Sequence, residues 1–373
     1  MKKTIREAES TPKKDGYWMP GEFEPQECIY MAWPHRTATW QGGAKPVQKT
    51  FENVAKTIAE FEPVVMCVRA EDYENARAQF EGVENVTIVE MDSDDAWMRD
   101  MGPTFVRNAD GDVRAVHWHF NSWGGLYDGF YFPWDKDGLV GMKVADHANV
   151  DRYRPDDFVL EGGSIHVDGE GTILTTEMCL LSPGRNPKLS KEQIEEYLKE
   201  YLGGEKVIWL KDGIDPDVTN GHIDDVACFV RPGEVALIWT EDETNPFYAT
   251  SREAYKTLSE TTDAKGRTLK IHKVTLPKEL TYMTDEQVAT IDLSDNSKPF
   301  SSEWPCIASY LNFLIVNDGI IAPQYHDEYD EVALKQLQEI FPDRKVVGVD
   351  TLEVVYGGGN VHCITQQLPK ARA

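Results

Sequence analysis

The chain has 373 residues, of which 41% are hydrophobic and 27% charged, as is ordinary for a globular protein that buries a core. Its formal net charge of −26 argues against nucleic acid or an anionic membrane surface as a partner, because both require clustered Lys and Arg, and favours a cation. Solubility alone would also explain the excess of carboxylates. No segment approaches the ~18 apolar residues of a membrane span or carries the apolar run of a signal peptide, so we expect a cytoplasmic protein with reduced thiols.

The first predicted elements are a helix near Lys49–Phe61 and strands at Pro63–Val68 and Val86–Glu90. Four hairpins follow, in each of which Asp-Gly or Pro-Gly separates two strand-like runs, a strong hairpin signal. Their strands are Phe105–Arg107 with Val113–Phe120, Ser164–Val167 with Thr172–Thr175, Ala227–Val230 with Val235–Trp239, and Phe313–Val316 with Ile320–Ala322.

Helices are predicted after the last three hairpins, and each is followed by a short strand. The helices are Ser190–Tyr201, Asn245–Leu258 and Asp327–Ile340, and the strands are Lys206–Leu210, Thr268–Leu276 and Lys345–Val349. Ser190 and Gln193 have the spacing of a capping box, and Asn245 precedes Pro246 as an N-cap would. The unit recurs about every 60 to 85 residues. Such repeats can close radially around an axis or extend one open α/β sheet, and the pattern alone leaves both open.

Five short segments place a reactive or charged side chain beside Gly, Trp or Pro. They are Trp97–Pro103, Asn121–Gly125, Glu161–Ser164, Asn220–Asp224 and Gly357–Thr365. In the last of them Cys363 follows three glycines, which are typical of a loop. It is therefore either a nucleophile, whose thiolate needs a positive neighbour, or an inert thiol. The cysteines in apolar runs are expected to be small buried hydrophobes: Cys28, Cys67, Cys179 and Cys228.

His222 and Asp224 are two positions apart, so in a strand both would face one pocket. A histidine with a carboxylate suits general acid–base chemistry, although a structural hydrogen-bonded pair is an equal alternative. His117 and His119 have the same spacing, which leaves a metal site as a weaker alternative to half-buried strand residues.

Two further carboxylates are expensive to bury without a partner. Glu161 follows an apolar run and precedes two glycines, so it is either paired or used in catalysis. Asp100 lies between Trp97 and Pro103, and its alternative role is a local ion pair with Arg99. Carboxylates bind a planar guanidinium in bidentate fashion. A bound guanidinium would also stabilise a thiolate at Cys363, so one kind of substrate explains both the acidic residues and the nucleophile.

These segments together resemble the agmatine deiminases of the guanidino-group-modifying (pentein) superfamily. The resemblance extends over almost the whole chain, in order, and the run Gly357–Gln367, GGGNVHCITQQ, is its most specific part. The other matching segments are Met19–Pro25, Met31–Pro34, Trp97–Pro103, Asn121–Gly125, Glu161–Ser164 and Thr219–Asp224.

The resemblance implies a single domain over residues 1–373, a five-bladed pseudo-symmetric α/β propeller of ββαβ-type units with its active site on the axis. It implies that Cys363 is the nucleophile, His222 the general acid/base and Glu161 its carboxylate partner. It further implies that Asp100 and Asp224 hold the guanidinium nitrogens and that Trp97 lines the pocket. The implied substrate is agmatine, hydrolysed to N-carbamoylputrescine and ammonia through a covalent amidino-cysteine, on the route to putrescine. No metal or organic cofactor is expected, and we expect a homo-oligomer.

Three other functions stay open on the sequence. A related enzyme could act on free arginine, peptidyl-arginine or another guanidine. A binding protein could hold a cation among the ten Trp and fifteen Tyr residues, although Cys363 and His222 would then have no role. A metal-dependent hydrolase is the third alternative, and loss of activity with a chelator would support it.

Overall fold

The computed structural model describes residues 2–214, 218–293 and 296–371. Within these residues the strands are β1 (Thr4–Arg6), β2 (Tyr17–Trp18), β3 (Gln26–Ala32), β4 (Val64–Val68), β5 (Val86–Glu90), β6 (Thr104–Asn108), β7 (Val113–Val116), β8 (Arg152–Arg154), β9 (His166–Val167), β10 (Thr172–Thr176), β11 (Lys206–Leu210), β12 (Ala227–Arg231), β13 (Glu234–Trp239), β14 (Lys270–Thr275), β15 (Leu314–Val316), β16 (Gly319–Gln324), β17 (Lys345–Asp350) and β18 (Thr365–Pro369).

The helices lie between these strands. They are α1 (Lys45–Ala59), α2 (Tyr73–Gln79), α3 (Met98–Met101), α4 (Gly125–Asp128), α5 (Asp137–His147), α6 (Glu177–Leu180), α7 (Lys191–Leu202), α8 (Tyr248–Glu260), α9 (Asp285–Val288), α10 (Asp330–Ile340) and α11 (Leu352–Tyr356). Short 3-10 turns lie at Gln41–Ala44, Ala70–Asp72, Gly162–Ser164 and Ile223–Asp225.

The strands form five sheets with one shared plan. The orders are β1-β8-β7-β6-β2, β18-β3-β4-β5, β11-β10-β9, β12-β13-β14 and β15-β16-β17. In every sheet an antiparallel pair is extended by a strand parallel to its second member, as β9 and β10 are extended by β11. The sheet of β18 follows the same plan although β18 and β3 are far apart in sequence, because β18 pairs antiparallel with β3 and β3 pairs parallel with β4. The chain thus has a mixed α/β fold of several sheets.

The predicted hairpins are confirmed, but some of their ends were wrong. The strand predicted to reach Phe120 ends at Val116. The strand predicted from Ser164 begins at His166, because Gly162–Ser164 forms a 3-10 turn in which the Ser164 hydroxyl donates to the Glu161 carbonyl oxygen at 2.6 Å.

Of the two helix caps predicted from the sequence, one is confirmed and one is wrong. The capping box of α7 is confirmed, since Ser190 accepts from the Gln193 N–H and the Gln193 side chain accepts from the Ser190 N–H. The N-cap predicted at Asn245 is wrong. Its side chain accepts from the Phe247 N–H at 2.9 Å in a turn, and α8 starts only at Tyr248. Asparagine forms such turns as readily as it caps helices.

The apolar side chains form three buried clusters, and the cysteines predicted to be buried, Cys28, Cys67, Cys179 and Cys228, are buried. Burying one large apolar side chain such as Phe51 or Phe229 stabilises the fold by about 1.5–3 kcal/mol. No helix among the described residues combines the length and apolar content that crossing a bilayer requires.

One position recurs in all five sheets, two to five residues before the first strand of the antiparallel pair. Five buried polar residues lie there: Asp100 before β6, Glu161 before β9, Asp224 before β12, Asn312 before β15 and Cys363 before β18. The repeated plan therefore brings chemistry from five distant parts of the sequence to equivalent places.

Candidate active site

Cys363 lies in the loop between α11 and β18 and is 6% exposed. Its sulfur lies 3.7 Å from Oδ2 of Asp224 and 3.3 Å from Nδ2 of Asn312, which donates to it. Burial, followed by the charges of Asp224, Asp225 and Asp100, raises the pKa of the Cys363 thiol well above its usual value. A raised pKa favours the neutral thiol beside these carboxylates, and a cation bound between them would favour the thiolate.

His222 and Asp224 lie at a turn and not in a strand, the setting in which their spacing was expected to direct both side chains to one pocket. Asn220 and Gly221 both have positive φ angles, 60° and 75°, and the chain then forms the 3-10 turn Ile223–Asp225. The Thr219 hydroxyl accepts from the His222 N–H at 3.2 Å and holds the start of this turn. Both side chains nevertheless reach the same buried space, because the turn, like a strand, projects both of them inward.

Gly163 marks the point on which three of the predicted side chains converge. A β-carbon there would lie 2.5 Å from Nδ1 of His222, 2.9 Å from Oδ2 of Asp224 and 3.0 Å from Oδ1 of Asp100. The Gly163 N–H donates to Oδ1 of Asp100 at 2.9 Å, so the backbone itself orients that carboxylate. Only a residue without a side chain leaves room for this arrangement.

Asp100 does not pair with Arg99, as its alternative role required. Its second oxygen, Oδ2, accepts from Nε1 of Trp123 at 2.7 Å and lies 3.9 Å from Nδ1 of His222. Burial and the nearby charges of Asp224 and Glu161 raise the pKa of Asp100, while His222 opposes them. Arg99 instead pairs with Glu22, 3.2 Å away.

Glu161 is buried and ion-paired with Arg185, whose Nε lies 2.8 Å from Oε1. Its other oxygen lies 3.7 Å from Nε2 of His222. Burial opposes the charge of Glu161, but Arg185 and His222 outweigh it and lower the pKa of this carboxyl. His222 has the reverse balance: burial lowers its pKa, whereas Asp100 and Glu161 raise it well above the usual value.

Arg185 also fixes the loops around Glu161. It donates to the Trp123 carbonyl oxygen, to Oδ1 of Asn220 at 2.6 Å and to the Thr219 carbonyl oxygen at 2.7 Å. One buried cation therefore joins three segments that the sequence marked as candidates.

Trp97 forms one wall of this space. A β-carbon at Gly359 would lie 2.5 Å from the Trp97 ring and 3.1 Å from Cβ of Cys363, so the indole and the thiol are neighbours. Trp97 stacks on Trp40 with ring centroids 4.9 Å apart, and Asp95 accepts from both indole N–H groups, at 3.2 and 2.8 Å. Asp95 thereby fixes the orientation of the wall.

Two features of this region suit a ligand: a set of buried polar atoms without hydrogen bonds, and a nearby cavity. Oδ1 of Asp224 and both ring nitrogens of His222 are buried and make no hydrogen bond to any described residue. Next to the site, Gly358 and Val218 also line an apolar cavity of about 330 Å³, which Phe300, Trp304 and Lys298 complete on its other sides. The His222 nitrogens have only the ion-pair contacts of 3.7 and 3.9 Å given above, and Oδ1 of Asp224 accepts no hydrogen bond from the described residues, so these atoms are open to a polar substrate.

Two sets of side chains come close enough to hold a metal ion: Glu22 with His166 and His362, and Glu161 with Cys179 and His222. Both carboxylates are already paired with arginines, Glu22 with Arg99 and Glu161 with Arg185. A cation at this distance opposes a second one. Among the described residues, His117 and His119, the weaker alternative in the sequence, belong to neither set.

Five residues of this site received no role from the sequence. Glu22, Trp123 and His362 lie inside segments that were singled out, whereas Arg185 and Asn312 lie outside them. Asn312 shows the signal that could have found it, since it precedes the first strand of its hairpin as Asp100, Glu161 and Asp224 precede theirs.

Known proteins are similar to this chain over nearly its whole length. The family described as Porphyromonas-type peptidyl-arginine deiminase matches residues 18–369. The agmatine deiminase of Pseudomonas aeruginosa is 51% identical over 363 residues, 97% of this chain and 98% of its own. A Lactococcus lactis protein that carries the same name provisionally is 60% identical, also over 97% of this chain and 98% of its own.

This chain belongs to the agmatine deiminase family. The solved agmatine deiminase of Enterococcus faecalis is 57% identical and superposes with a TM-score of 0.95, over 98% of this chain and 99% of its own. A more distant member, a Cys-to-Ser variant of Campylobacter jejuni agmatine deiminase solved with substrate bound, is 28% identical with a TM-score of 0.81, covering 96% and 97% of the two chains. The family therefore shares this fold over its whole length.

Adding one methyl group at Gly163 should disable the site. In Gly163→Ala the new β-carbon would displace His222, Asp224 or Asp100, and misplacement by about 1 Å costs a site roughly 10²-fold in rate. We expect kcat/KM for a guanidine substrate to fall by that order while thermal unfolding stays cooperative. Gly138→Ala is the matched control, because nothing lies within 4 Å of its added β-carbon. Equal activity of both variants would mean that the three side chains do not need this convergence.

Proposed function

We propose that this chain is an agmatine deiminase that hydrolyses agmatine to N-carbamoylputrescine and ammonia through a covalent intermediate on Cys363. The observation that carries the proposal is the sulfur of Cys363 beside Asp224, whose Oδ1 is buried and unpartnered among the described residues. A nucleophile next to open carboxylate acceptors suits a flat cation with a central electrophilic carbon. The agmatine deiminase relatives support the choice of substrate.

The first half of the reaction forms a carbon–sulfur bond. Asp100 and Asp224 hold the guanidinium nitrogens, and the bound cation offsets the carboxylates that keep the thiol neutral, so the Cys363 proton is released. The thiolate attacks the guanidinium carbon. The departing nitrogen takes a proton from His222, which the nearby Asp100 and Glu161 favour as an imidazolium, and ammonia leaves.

The second half replaces sulfur by oxygen. His222, now neutral, removes a proton from water, and the hydroxide attacks the amidino carbon held on Cys363. Collapse breaks the carbon–sulfur bond, whose electron pair returns to sulfur. The hydroxyl proton of the adduct passes to that sulfur, so the neutral ureido group is released and the Cys363 thiol is restored. Glu161 stabilises the imidazolium at both stages, since it lies 3.7 Å from Nε2 of His222. This route draws on no metal or organic cofactor.

A related substrate is favoured by one observation. Lys298 lines the cavity beside Gly358, and a lysine there could pair with the α-carboxylate of free arginine, which agmatine lacks. Its ammonium donates to the Asp128 carbonyl oxygen. An arginine deiminase on the same site is therefore the second candidate.

Ammonia release should separate these candidates. We expect the purified protein to release ammonia from agmatine with a kcat/KM at least about tenfold above that for arginine or a blocked arginine peptide, a difference of ~1.4 kcal/mol in transition-state binding. A chelator should leave the rate unchanged. Lys298→Met is a matched variant that should not impair agmatine turnover. Preference for arginine that disappears in Lys298→Met would establish the second candidate instead.

We also propose that the five sheets are the blades of one pseudo-symmetric propeller and that residues 1–373 form one domain. The shared strand plan and the equivalent placement of Asp100, Glu161, Asp224, Asn312 and Cys363 support this arrangement.

The protein is further proposed to be a cytoplasmic homo-oligomer that binds neither nucleic acid nor membrane. The net charge of −26 and the exposed Leu126 and Tyr127 are in keeping with those assignments.

A further inference from the structure

His362, the residue before Cys363, is buried between two carboxylates. Its Nδ1 lies 2.9 Å from Oδ2 of Asp224, and its Nε2 lies 3.0 Å from both oxygens of Glu22. Only 3% of His362 is exposed, and both carboxylates are equally buried. A neutral imidazole has one N–H and can donate to one carboxylate, whereas an imidazolium donates to both. The geometry therefore fits the charged form.

The surroundings of this ring set its charge. Arg99 pairs with Glu22 and donates from Nε to the His362 carbonyl oxygen at 3.2 Å, and the His166 ring stacks on it at 6.3 Å. Burial and Arg99 oppose a proton on His362, but Glu22 and Asp224 outweigh them and raise its pKa. Asp224 also faces His222, Arg99, Asp100 and the Cys363 thiol.

The charge of His362 affects the two oxygens of Asp224 differently. Oδ2 is hydrogen-bonded to His362, whereas Oδ1 is buried without a hydrogen bond to any described residue. Burial opposes the charge of Asp224, whereas His362 outweighs it and lowers the pKa of this carboxyl. Asp100 accepts no hydrogen bond from an imidazole, since Nδ1 of His222 lies 3.9 Å from its Oδ2, and its pKa is raised instead. The two acids beside the thiol thus differ in their hydrogen bonds, because only Asp224 is within hydrogen-bond distance of a histidine ring.

We propose that His362 is a positioning residue, bridging Glu22 and Asp224 as an imidazolium so that Asp224 stays ionised with Oδ1 directed at the substrate cation. This inference rests on the proposed function, because it needs Asp224 to bind the guanidinium. A purely structural role for His362 would hold the loop before β18 but would not make substrate binding depend on pH.

The test measures agmatine binding without turnover. In the parent variant Cys363→Ala, the dissociation constant is determined by calorimetry from mildly acidic to mildly alkaline pH. His362→Asn is then added to this parent. It should weaken binding about tenfold or more, the usual contribution of a hydrogen bond to a charged group. In a plot of affinity against pH, the loss of binding on the acid side (the acid limb) should also occur at higher pH. Without the imidazolium, the Asp224 carboxyl takes up a proton more readily.

Glu22→Gln gives a second signature should His362→Asn fail to fold. Without the Glu22 charge the His362 proton is lost more easily, so binding should weaken as the pH rises through neutrality, the opposite limb from that of His362→Asn. His117→Asn is the control for losing a buried imidazole elsewhere, since His117 contacts the Gly138 carbonyl oxygen and the charges near it are those of Arg154 and Arg152. It should leave both limbs in place.

The outcomes separate the two proposals. If the Cys363→Ala parent fails to bind agmatine, the proposed function is overturned and this inference with it. If the parent binds, and neither His362→Asn nor Glu22→Gln moves its pH limb, the positioning role is overturned while the proposed function stands. Movement of the limbs in the stated directions would support both.

Discussion

Replacing Cys363 by alanine should reduce ammonia release from agmatine by roughly 10⁴-fold or more, the loss seen when a covalent nucleophile is removed. The fold should persist, because the substitution removes one buried sulfur whose neighbours, Asp224 and Asn312, keep their other hydrogen bonds. Steady-state kinetics and a thermal melt measure the two effects. Mass spectrometry of acid-quenched wild-type enzyme should also show an amidino adduct on the peptide that contains Cys363.

Cys67→Ala is the matched control for this variant. Cys67 is a buried thiol in β4, and burial raises its pKa to about 12, so it shares the protonated state of Cys363 without the neighbouring carboxylates of the site. We expect Cys67→Ala to keep full activity with a small loss of stability. Normal turnover by Cys363→Ala would refute the nucleophile and the covalent mechanism with it.

Replacing Asp224 by asparagine should lower kcat/KM for agmatine by about 10²–10⁴-fold, since truncating one partner of a buried charge pair costs about 2–5 kcal/mol or more. The amide keeps the shape of the side chain and can still contact His362, but it gives the guanidinium no negative charge. In the proposed mechanism Asp224 binds the guanidinium in both the ground state and the transition state, so we expect the dissociation constant to rise and kcat to fall.

A buried carboxylate outside the site gives the comparison for Asp224→Asn. Asp168 is fully buried and accepts from the Glu170 and Thr172 N–H groups, both at 2.8 Å, in the turn between β9 and β10. Asp168→Asn should reduce the midpoint of thermal unfolding and spare kcat/KM. Near-wild-type kinetics in Asp224→Asn would mean that other groups hold the guanidinium.

Much of the fold could be predicted from the sequence, because the turns and caps that define it depend on residues close together in the chain. Asp-Gly and Pro-Gly turns marked the hairpins, and the spacing of Ser190 and Gln193 marked the start of α7, since each depends on residues within a few positions. The N-cap predicted at Asn245 failed for the same reason: the local sequence suits two turns, and packing decides between them.

The candidate site was readable only where residue chemistry and family segments coincided. Cys363, His222 and Asp224 stand in distinctive runs, and the structure brings them together. The ion-pair partners of the buried charged residues could not be predicted from the sequence. Arg99 next to Asp100 suggested a local ion pair, whereas Arg99 reaches Glu22, 77 positions away. A long arginine side chain can pair with a carboxylate that is distant in the sequence but near in the fold. Such a distance cannot be predicted from a single sequence.

The pairing of β18 with β3 has a consequence for biosynthesis. His362 and Glu22 are 340 positions apart, so the bridge between them forms only after the ribosome has made nearly everything between these two residues. Contacts of such separation close late in folding. A nascent or prematurely terminated chain that lacks β18 would also lack Cys363, and would bury Glu22 and Arg99 without their histidine. Synthesis itself thus delays the appearance of the Cys363 thiol until the strand that follows it can dock.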